Sequence, residues 1–190
     1  MSKPDELAVI KQFTDVLDQL HINYAIGGSM ASSIYGTVRF TQDADITIAH
    51  CPDKSHLLYN LLHDDFYISE DAMQQAFNSY ASFNIIHLAT AFKIDIFIQN
   101  PETFEKNLID RRQELQLSEK LKKKFSIVSP EDIILLKLKW YKIGNCQSDR
   151  QWIDIAGVIE VQKDKLDIEY LEDWAVKLGV EDLLEKALAG

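Results

Sequence analysis

The sequence predicts an α+β protein, in which a mixed β-sheet with flanking helices is followed by a C-terminal helical region. Short apolar strands alternate with amphipathic helical patterns over residues 1–100, whereas only the helical period continues over residues 101–190. The 190 residues suffice for one domain or two small ones, each with its own core. We therefore expect a sheet-containing core at 1–100 and a helical domain at 101–190 packed on it.

The elements of the first half are predicted from the spacing of their apolar residues. Phe13, Leu17 and Leu20 lie at helical spacing in the first helix, and alternation of apolar and polar residues marks the strands. The sequence predicts helices at 7–20, 30–35, 53–63 and 72–77, and strands at 22–26, 44–49, 66–69, 83–88 and 92–98.

The second half is predicted to be helical throughout. Ser129 is a typical N-cap, and Pro130, Glu131 and Asp132 suit the first turn of a helix that ends near Gly144. Further helices are predicted around residues 152–159, 171–178 and 180–188. We expect the tryptophans of these apolar stripes to lie in the core: Trp140, Trp152 and Trp174.

Composition restricts the classes of function. The net charge of −10 disfavours non-specific nucleic-acid binding over the whole surface, because phosphates require a basic face. The sequence has no apolar run long enough to span a membrane, and its N-terminus lacks the apolar region of a signal peptide. Cys51 and Cys146 belong to no motif, so we expect free thiols and a cytoplasmic protein.

Three aspartates on predicted strands suggest a metal site. Asp43 and Asp45 point to the same side of their strand, because side chains alternate between faces. Asp95 lies within an apolar run and faces away from Ile94 and Ile96. Neighbouring carboxylates repel each other unless a cation lies between them, and oxygen ligands suit Mg²⁺. Asp95 would complete a two-metal site or act as the base for an attacking hydroxyl.

A glycine turn supplies a second element for the same chemistry. Gly27 and Gly28 allow the backbone to approach a phosphate closely, and a helix that begins near Ser29 offers N–H groups to an anion. Together with the carboxylates, the turn suits attack on the α-phosphate of an NTP, with pyrophosphate leaving. Each element also has an ordinary interpretation, as a common turn or as a solvated strand face.

The order and spacing of these elements resemble the nucleotidyltransferase superfamily, which has the DNA polymerase β-like fold. The matching segments are Ile26–Ser29, Asp43–Ile46 and Ile94–Ile96, with Ala44 smaller than the usual residue between the two aspartates. Residues 27–36, with Arg39 and Thr41, also resemble the bacterial branch near the AbiEii-type toxins. In the helical half, the segments 129–132, 137–139 and 150–155 are similar to that branch.

The resemblance implies a nucleotidyltransferase-fold sheet and transfer of a nucleotide from an NTP to an acceptor, with Mg²⁺ as the cofactor or Mn²⁺ in its place. Asp43, Asp45 and Asp95 would be the metal ligands and catalytic carboxylates. Gly27, Gly28 and Ser29 would bind the nucleotide phosphates. Family analogy suggests a toxin–antitoxin or phage-defence setting with a cognate antitoxin.

Two basic residues are added to the predicted nucleotide site. Lys137 lies among apolar helix neighbours, so its ammonium must reach solvent or find an anion, and a phosphate is one such anion. Arg39 either contacts the nucleotide or caps the sheet edge. Asp154 either reaches the site or stabilises a contact between helices, and the lysine run 122–124 is either a solvated surface or an acceptor-binding patch.

The acceptor remains open at this stage. RNA such as a tRNA 3′ end, a protein hydroxyl and a small molecule such as an aminoglycoside all suit the chemistry. A second class of function is a catalytically inactive nucleotide-binding or protein-interaction module with the same fold. The histidines match no zinc-ligand spacing, which argues against a zinc site.

Overall fold

The structure is a computed structural model that describes residues 6–38, 41 and 43–190. Two compact units are present. The sheet unit lies within Met1–Ile26 and Thr41–Ile127, and the helical unit lies within Gly27–Phe40 and Val128–Gly190. The chain is therefore divided after residue 127, and the segment at 27–40 belongs with the C-terminal helices, whereas the sequence suggested a division near residue 100.

The helices and strands alternate in the first two thirds of the chain. The helices are α1 Glu6–Gln19, α2 Gly28–Tyr35, α3 Ser55–Leu62, α4 Glu70–Ser79, α5 Glu105–Asp110, α6 Pro130–Ile143, α7 Asp149–Gln162, α8 Ile168–Leu178 and α9 Glu181–Ala189. The strands are β1 Tyr24–Ile26, β2 Asp43–Ile48, β3 Phe66–Ile68, β4 Ser82–His87, β5 Lys93–Ile98, β6 Gln113–Gln116 and β7 Lys124–Ile127.

The strands form one mixed sheet in the order β3-β4-β5-β2-β1-β7-β6. β2 pairs in parallel with β5 and antiparallel with β1, and β1 pairs in parallel with β7. From Asp43 to Ile46 on β2 and along β5, part-exposed residues alternate with buried ones, and Ala44, Ile46, Ile94 and Ile96 lie in the core. This alternation turns the intervening polar residues to the opposite face. The predicted α+β fold with a mixed sheet is thus confirmed.

The prediction that everything after residue 101 is helical was wrong. β6 and β7 extend the sheet beyond residue 100, and β7 pairs with β1 through Ile127 and Ile26. The apolar side chains of Phe125 and Ile127 are fully buried. A strand of four residues whose partner lies far away in sequence carries too short a pattern to be recognised from periodicity.

Helix α6 begins where the sequence predicts. The Ser129 hydroxyl accepts a hydrogen bond of 3.1 Å from the backbone N–H of Asp132, which is an N-cap interaction. The core prediction was wrong for Trp140, which is 50% exposed near the C-terminal end of α6. Trp152 and Trp174 are only partly buried. An apolar residue at helical spacing thus need not be buried in the core.

Two glycines set the packing of α2 against α7 within the helical unit. A Cβ atom on Gly36 would lie 2.7 Å from the backbone nitrogen of Val158, and one on Gly157 would lie 3.1 Å from the Thr37 hydroxyl. The backbones therefore approach too closely for a larger residue at position 36. This contact fixes α2, the helix that follows the glycine turn, against α7.

Candidate functional site

The three predicted metal-binding aspartates lie on one face of two adjacent strands. In the parallel register of β2 and β5, Asp45 is paired with Asp95 and Asp43 with Lys93. These four residues are part-exposed, whereas the alternating apolar residues between them are buried. The parallel pairing aligns the start of β2 with the start of β5, so Asp43, Asp45 and Asp95 occupy neighbouring positions of this face.

Like charges directly opposite each other on neighbouring strands destabilise a sheet, and Lys93 offsets this repulsion. Its Nζ lies 2.6 Å from Oδ2 of Asp95 and 3.9 Å from Oδ2 of Asp43. The pKa of Lys93 is raised, first by its hydrogen bond to Asp95 and further by the charges of Asp95, Asp43 and Asp45, while desolvation opposes the rise. The ammonium therefore stays protonated within the carboxylate cluster.

A hydroxyl group holds Asp43 from the other side. Thr41 Oγ1 donates to Oδ1 of Asp43 at 3.1 Å and lies 3.0 Å from its backbone carbonyl oxygen. The side chain of Asp43 is 43% exposed and that of Asp95 is 26% exposed, so both carboxylates remain accessible. Thr41 and Lys93 thus hold the carboxylate of Asp43 from two sides, and Lys93 holds that of Asp95.

The donor set fits a hard divalent cation in its chemistry. Asp43, Asp45 and Asp95 offer only carboxylate oxygens, and Mg²⁺ prefers oxygen ligands together with water and phosphate. Within residues 6–38, 41 and 43–190, no three His, Cys, Asp or Glu side chains converge in a metal-binding arrangement. The carboxylate cluster contains the Lys93 ammonium, which contacts Oδ2 of Asp95.

The glycine turn follows β1 directly along the chain. Ile26 of β1 pairs with Ile46, the residue after Asp45. Gly27 then serves as the N-cap of α2, and Gly28 has φ +56°, a left-handed conformation that favours glycine. The backbone N–H of Ala31 donates to the Gly27 carbonyl oxygen at 3.0 Å, so the helix is already regular in its first turn. As predicted from the sequence, a helix begins at the glycine turn.

The Lys137 ammonium forms an ion pair with a carboxylate of the protein itself. Its Nζ lies 2.8 Å from Oδ2 of Asp154 and donates to Oε1 of Gln151 at 3.0 Å. Both charged side chains are buried, with 6% and 4% of their surfaces exposed. The structural role for Asp154 in a contact between helices is therefore what the structure describes, and phosphate binding by Lys137 stays a prediction. The predicted site residue Arg39 lies outside the described residues.

Lys93 and Asn84 were not assigned to the site from the sequence. Asn84 of β4 is the register partner of Asp95, and its neighbours Phe83 and Ile85 are buried, so Asn84 lies on the carboxylate side. The alternation of each strand already placed these residues on the polar face. Their nearness to the aspartates follows from the strand order, which periodicity does not reveal.

One residue of the lysine run 122–124 forms ion pairs within the protein. Lys123 Nζ lies 2.6 Å from Asp15 and 2.7 Å from Asp18 of α1, and its side chain is 12% exposed. It therefore ties β7 to α1 and is not part of a solvated patch. Cys51 and Cys146 are both free thiols, as predicted. Among the helices of the described part of the chain, none is long and apolar enough to cross a membrane.

Solved structures with a similar fold include adenylyltransferases and a nucleotidyltransferase-like protein. ANT(2″)-Ia in complex with adenylyl-2″-tobramycin has a TM-score of 0.63 and 14% identity, covering 91% of this chain and 96% of its own. An antigenic nucleotidyltransferase-like protein from Paracoccidioides brasiliensis has a TM-score of 0.56 and 19% identity, covering 98% and 94%. The lincosamide antibiotic adenylyltransferase LnuA, lincomycin-bound, has a TM-score of 0.53 and 15% identity, covering 82% and 96%.

These similarities extend over most of both chains and establish the fold. No family model matches the sequence, and no curated protein matches it. The chain thus has the fold of the nucleotidyltransferases, which confirms the fold that the sequence resemblance implied. The assignment to an AbiEii-like branch stays a prediction.

Proposed function

We propose that this chain is a nucleotidyltransferase that transfers a nucleotide from an NTP to an acceptor hydroxyl and releases pyrophosphate. The observation that carries the proposal is the register of β2 and β5, which pairs Asp45 with Asp95 and leaves Asp43 on the same face. The three carboxylates repel one another, the Lys93 ammonium pairs with two of them, and a divalent cation would offset the repulsion further. A structural role explains less well why they occur together in a fold shared with nucleotidyltransferases.

In the proposed reaction, the acceptor oxygen forms a bond to the α-phosphorus of the NTP. The bond between that phosphorus and the oxygen bridging to the β-phosphate breaks, and pyrophosphate leaves with the bonding electrons. The hydroxyl proton passes to a carboxylate oxygen of Asp95 or, through it, to solvent. Bound Mg²⁺, or Mn²⁺ in its place, would neutralise the charge of the phosphates.

The remaining roles follow from the side chains and the backbone. Asp43, Asp45 and Asp95 would hold the metal, with Thr41 fixing the orientation of Asp43. Gly27, Gly28 and Ser29 would bind the β- and γ-phosphates at the start of α2, where the first N–H groups of a helix attract anions. Arg39 and Lys137 are proposed as further phosphate or base contacts.

The acceptor class is proposed from the chemistry of the comparisons. ANT(2″)-Ia was solved with adenylyl-2″-tobramycin and LnuA with lincomycin, so hydroxyl-bearing small molecules are acceptors to test first. RNA and protein hydroxyls are tested alongside, as the AbiEii-like resemblance suggests. In that setting the proposed partner is a cognate antitoxin.

A second candidate is a catalytically inactive nucleotide-binding or protein-interaction module. The observation that favours it is the Lys93 ammonium, which already contacts Asp95 at 2.6 Å. In such a module the ammonium would replace the metal permanently. The two candidates differ in two measurable properties. The transferase should need Mg²⁺ for NTP binding and should transfer an α-phosphate label to an acceptor, whereas the inactive module should transfer none.

The proposal is tested by incubating the purified protein with each α-³²P-labelled NTP and Mg²⁺, together with tobramycin, lincomycin, total RNA or a cell protein extract. Transfer of label from one NTP to one acceptor fraction is expected, with pyrophosphate released in equal amount. Binding of NTP without transfer to any fraction would favour the inactive module.

Two variants test whether the carboxylates of β2 and β5 are the catalytic groups. Asp45→Asn should abolish transfer, because it removes a charge from the carboxylate face while keeping the shape of the side chain. Asp110→Asn is the matched control, since Asp110 forms an exposed pair with Lys106 on α5. Transfer that survives Asp45→Asn at the wild-type rate would show that the carboxylates are not the catalytic groups.

A further inference from the structure

Lys93 contacts carboxylates of two strands, Asp95 on its own strand β5 and Asp43 on the neighbouring strand β2. Its side chain is 40% exposed, yet its Nζ contacts Asp95 at 2.6 Å and approaches Asp43 to 3.9 Å. Both distances end on Oδ2 atoms of residues that the proposed function assigns to metal binding. The ammonium is therefore the cation that these two carboxylates share in this structure.

A metal ion and this ammonium would both bind the carboxylate of Asp95, where the ammonium already contacts Oδ2. A Mg²⁺ ion lies about 2.0–2.1 Å from each oxygen ligand. A divalent ion bound to Asp95 would therefore face a second positive charge bonded to the same carboxylate, which is repulsive. The four-carbon stem of lysine is flexible, and the partial exposure of Lys93 leaves it room to turn towards solvent.

We infer that Lys93 and the metal ion compete for Asp95, so that Lys93 stabilises the metal-free carboxylate face and sets the metal concentration at which the site fills. This inference rests on the proposed function for the identity of the metal ligands. It makes Lys93 a positioning residue, because the ammonium acts through Asp95 and Asp43 and not on the reacting atoms.

Two consequences follow from the register. Without the ammonium, Asp45 and Asp95 lie opposite each other with no lysine to offset their repulsion, so the metal-free protein should be less stable. The same loss removes the competitor, so a divalent cation should bind more tightly. A purely structural lysine would give the first effect without the second.

The test measures binding of Mn²⁺ alone, without nucleotide, by electron paramagnetic resonance. Lys93→Met should lower the dissociation constant for Mn²⁺ roughly two- to fivefold, the range equivalent to losing a part-exposed ion pair. In chelator-treated buffer the same variant should melt about 1–4 °C below wild type, and added Mn²⁺ should restore more of its stability than that of wild type.

Matched variants separate charge from shape. Lys93→Arg keeps a competing cation, so its Mn²⁺ affinity should stay at or below the wild-type value. Lys93→Gln removes the charge with a polar side chain and replaces Lys93→Met if the latter does not fold. Lys106→Met removes an exposed lysine that pairs with Asp110 at 4.0 Å, and it should change neither quantity.

Each outcome decides between the inference and the proposed function. If Lys93→Met and Lys93→Gln bind Mn²⁺ no more tightly than wild type, or no form binds it, competition is refuted whatever the transfer assay shows. If both variants bind Mn²⁺ more tightly but no form transfers a nucleotide, competition holds and the proposed activity fails.

Discussion

Substitution of Asp154 by asparagine should destabilise the protein by about 3–5 kcal/mol, because it removes the charge that faces a buried lysine ammonium. The two side chains are 6% and 4% exposed, and Nζ of Lys137 lies 2.8 Å from Oδ2 of Asp154. At this distance the attraction between unit charges is about 6 kcal/mol for an effective dielectric constant of roughly 20. Part of this attraction offsets the desolvation of both groups, so the expected loss is smaller.

The assay is urea unfolding followed by circular dichroism, with linear extrapolation to water. Asp110→Asn is the matched control, because its pair with Lys106 is 4.0 Å long and more than half exposed on both sides. That control should cost less than about 0.5 kcal/mol. A double variant, Lys137→Met with Asp154→Leu, should recover most of the lost stability, since an apolar pair avoids the desolvation of two charges.

The reasoning is refuted if Asp154→Asn and Asp110→Asn lower the free energy of unfolding by the same amount. The double variant adds information on function. If it is stable and still binds NTP with wild-type affinity, Lys137 serves packing alone. If it is stable and loses NTP affinity, Lys137 leaves Asp154 when the nucleotide binds.

Two further predictions concern packing and thiol reactivity. Gly36→Ala should lower the free energy of unfolding by about 1–3 kcal/mol in the same assay, because its Cβ would lie 2.7 Å from the backbone of Val158. Gly144→Ala is the control and should cost clearly less, because the nearest atom to its Cβ is 3.4 Å away; equal costs would contradict the packing argument. Burial raises the pKa of the Cys51 thiol to about 11, so its alkylation by iodoacetamide should be slow near neutral pH and should accelerate until the pH approaches that value. The exposed Cys146 is the internal reference, and mass spectrometry that shows Cys51 modified first near neutral pH would contradict the burial argument.

The elements that the sequence predicts well are those with a strong local pattern. The N-cap at Ser129 and the alternation around Asp95 depend on neighbours within a few residues, and the structure has a helix and a strand there. By contrast, β6 and β7 are strands of four residues each, and β7 is placed by pairing with β1 about a hundred residues earlier in the chain. The local periodicity of apolar residues carries no information about a partner strand that is distant in sequence.

The same limit applies to the candidate site. The sequence places Asp43 and Asp45 on one face of a strand, and the common face with Asp95 then depends on the parallel pairing of β2 with β5. The resemblance to a known superfamily implied a common site for the three aspartates, but the strand pairing itself was not predicted. The glycine turn was predicted from the local sequence, and the left-handed φ of Gly28 gives its physical reason.

The two lysines show why ion pairs are harder to predict than strands. From the sequence, Lys137 needs an anion and Lys93 lies two positions before an aspartate, but both patterns leave the partner open. Lys137 is bonded to Asp154 on the next helix, and Lys93 to Asp95 on its own strand. The first pair is buried, so breaking it for a phosphate would cost several kcal/mol, whereas the second is part-exposed and costs little to open. Of the two, Lys93 therefore needs less free energy to leave its partner, as the proposed competition with a metal ion requires.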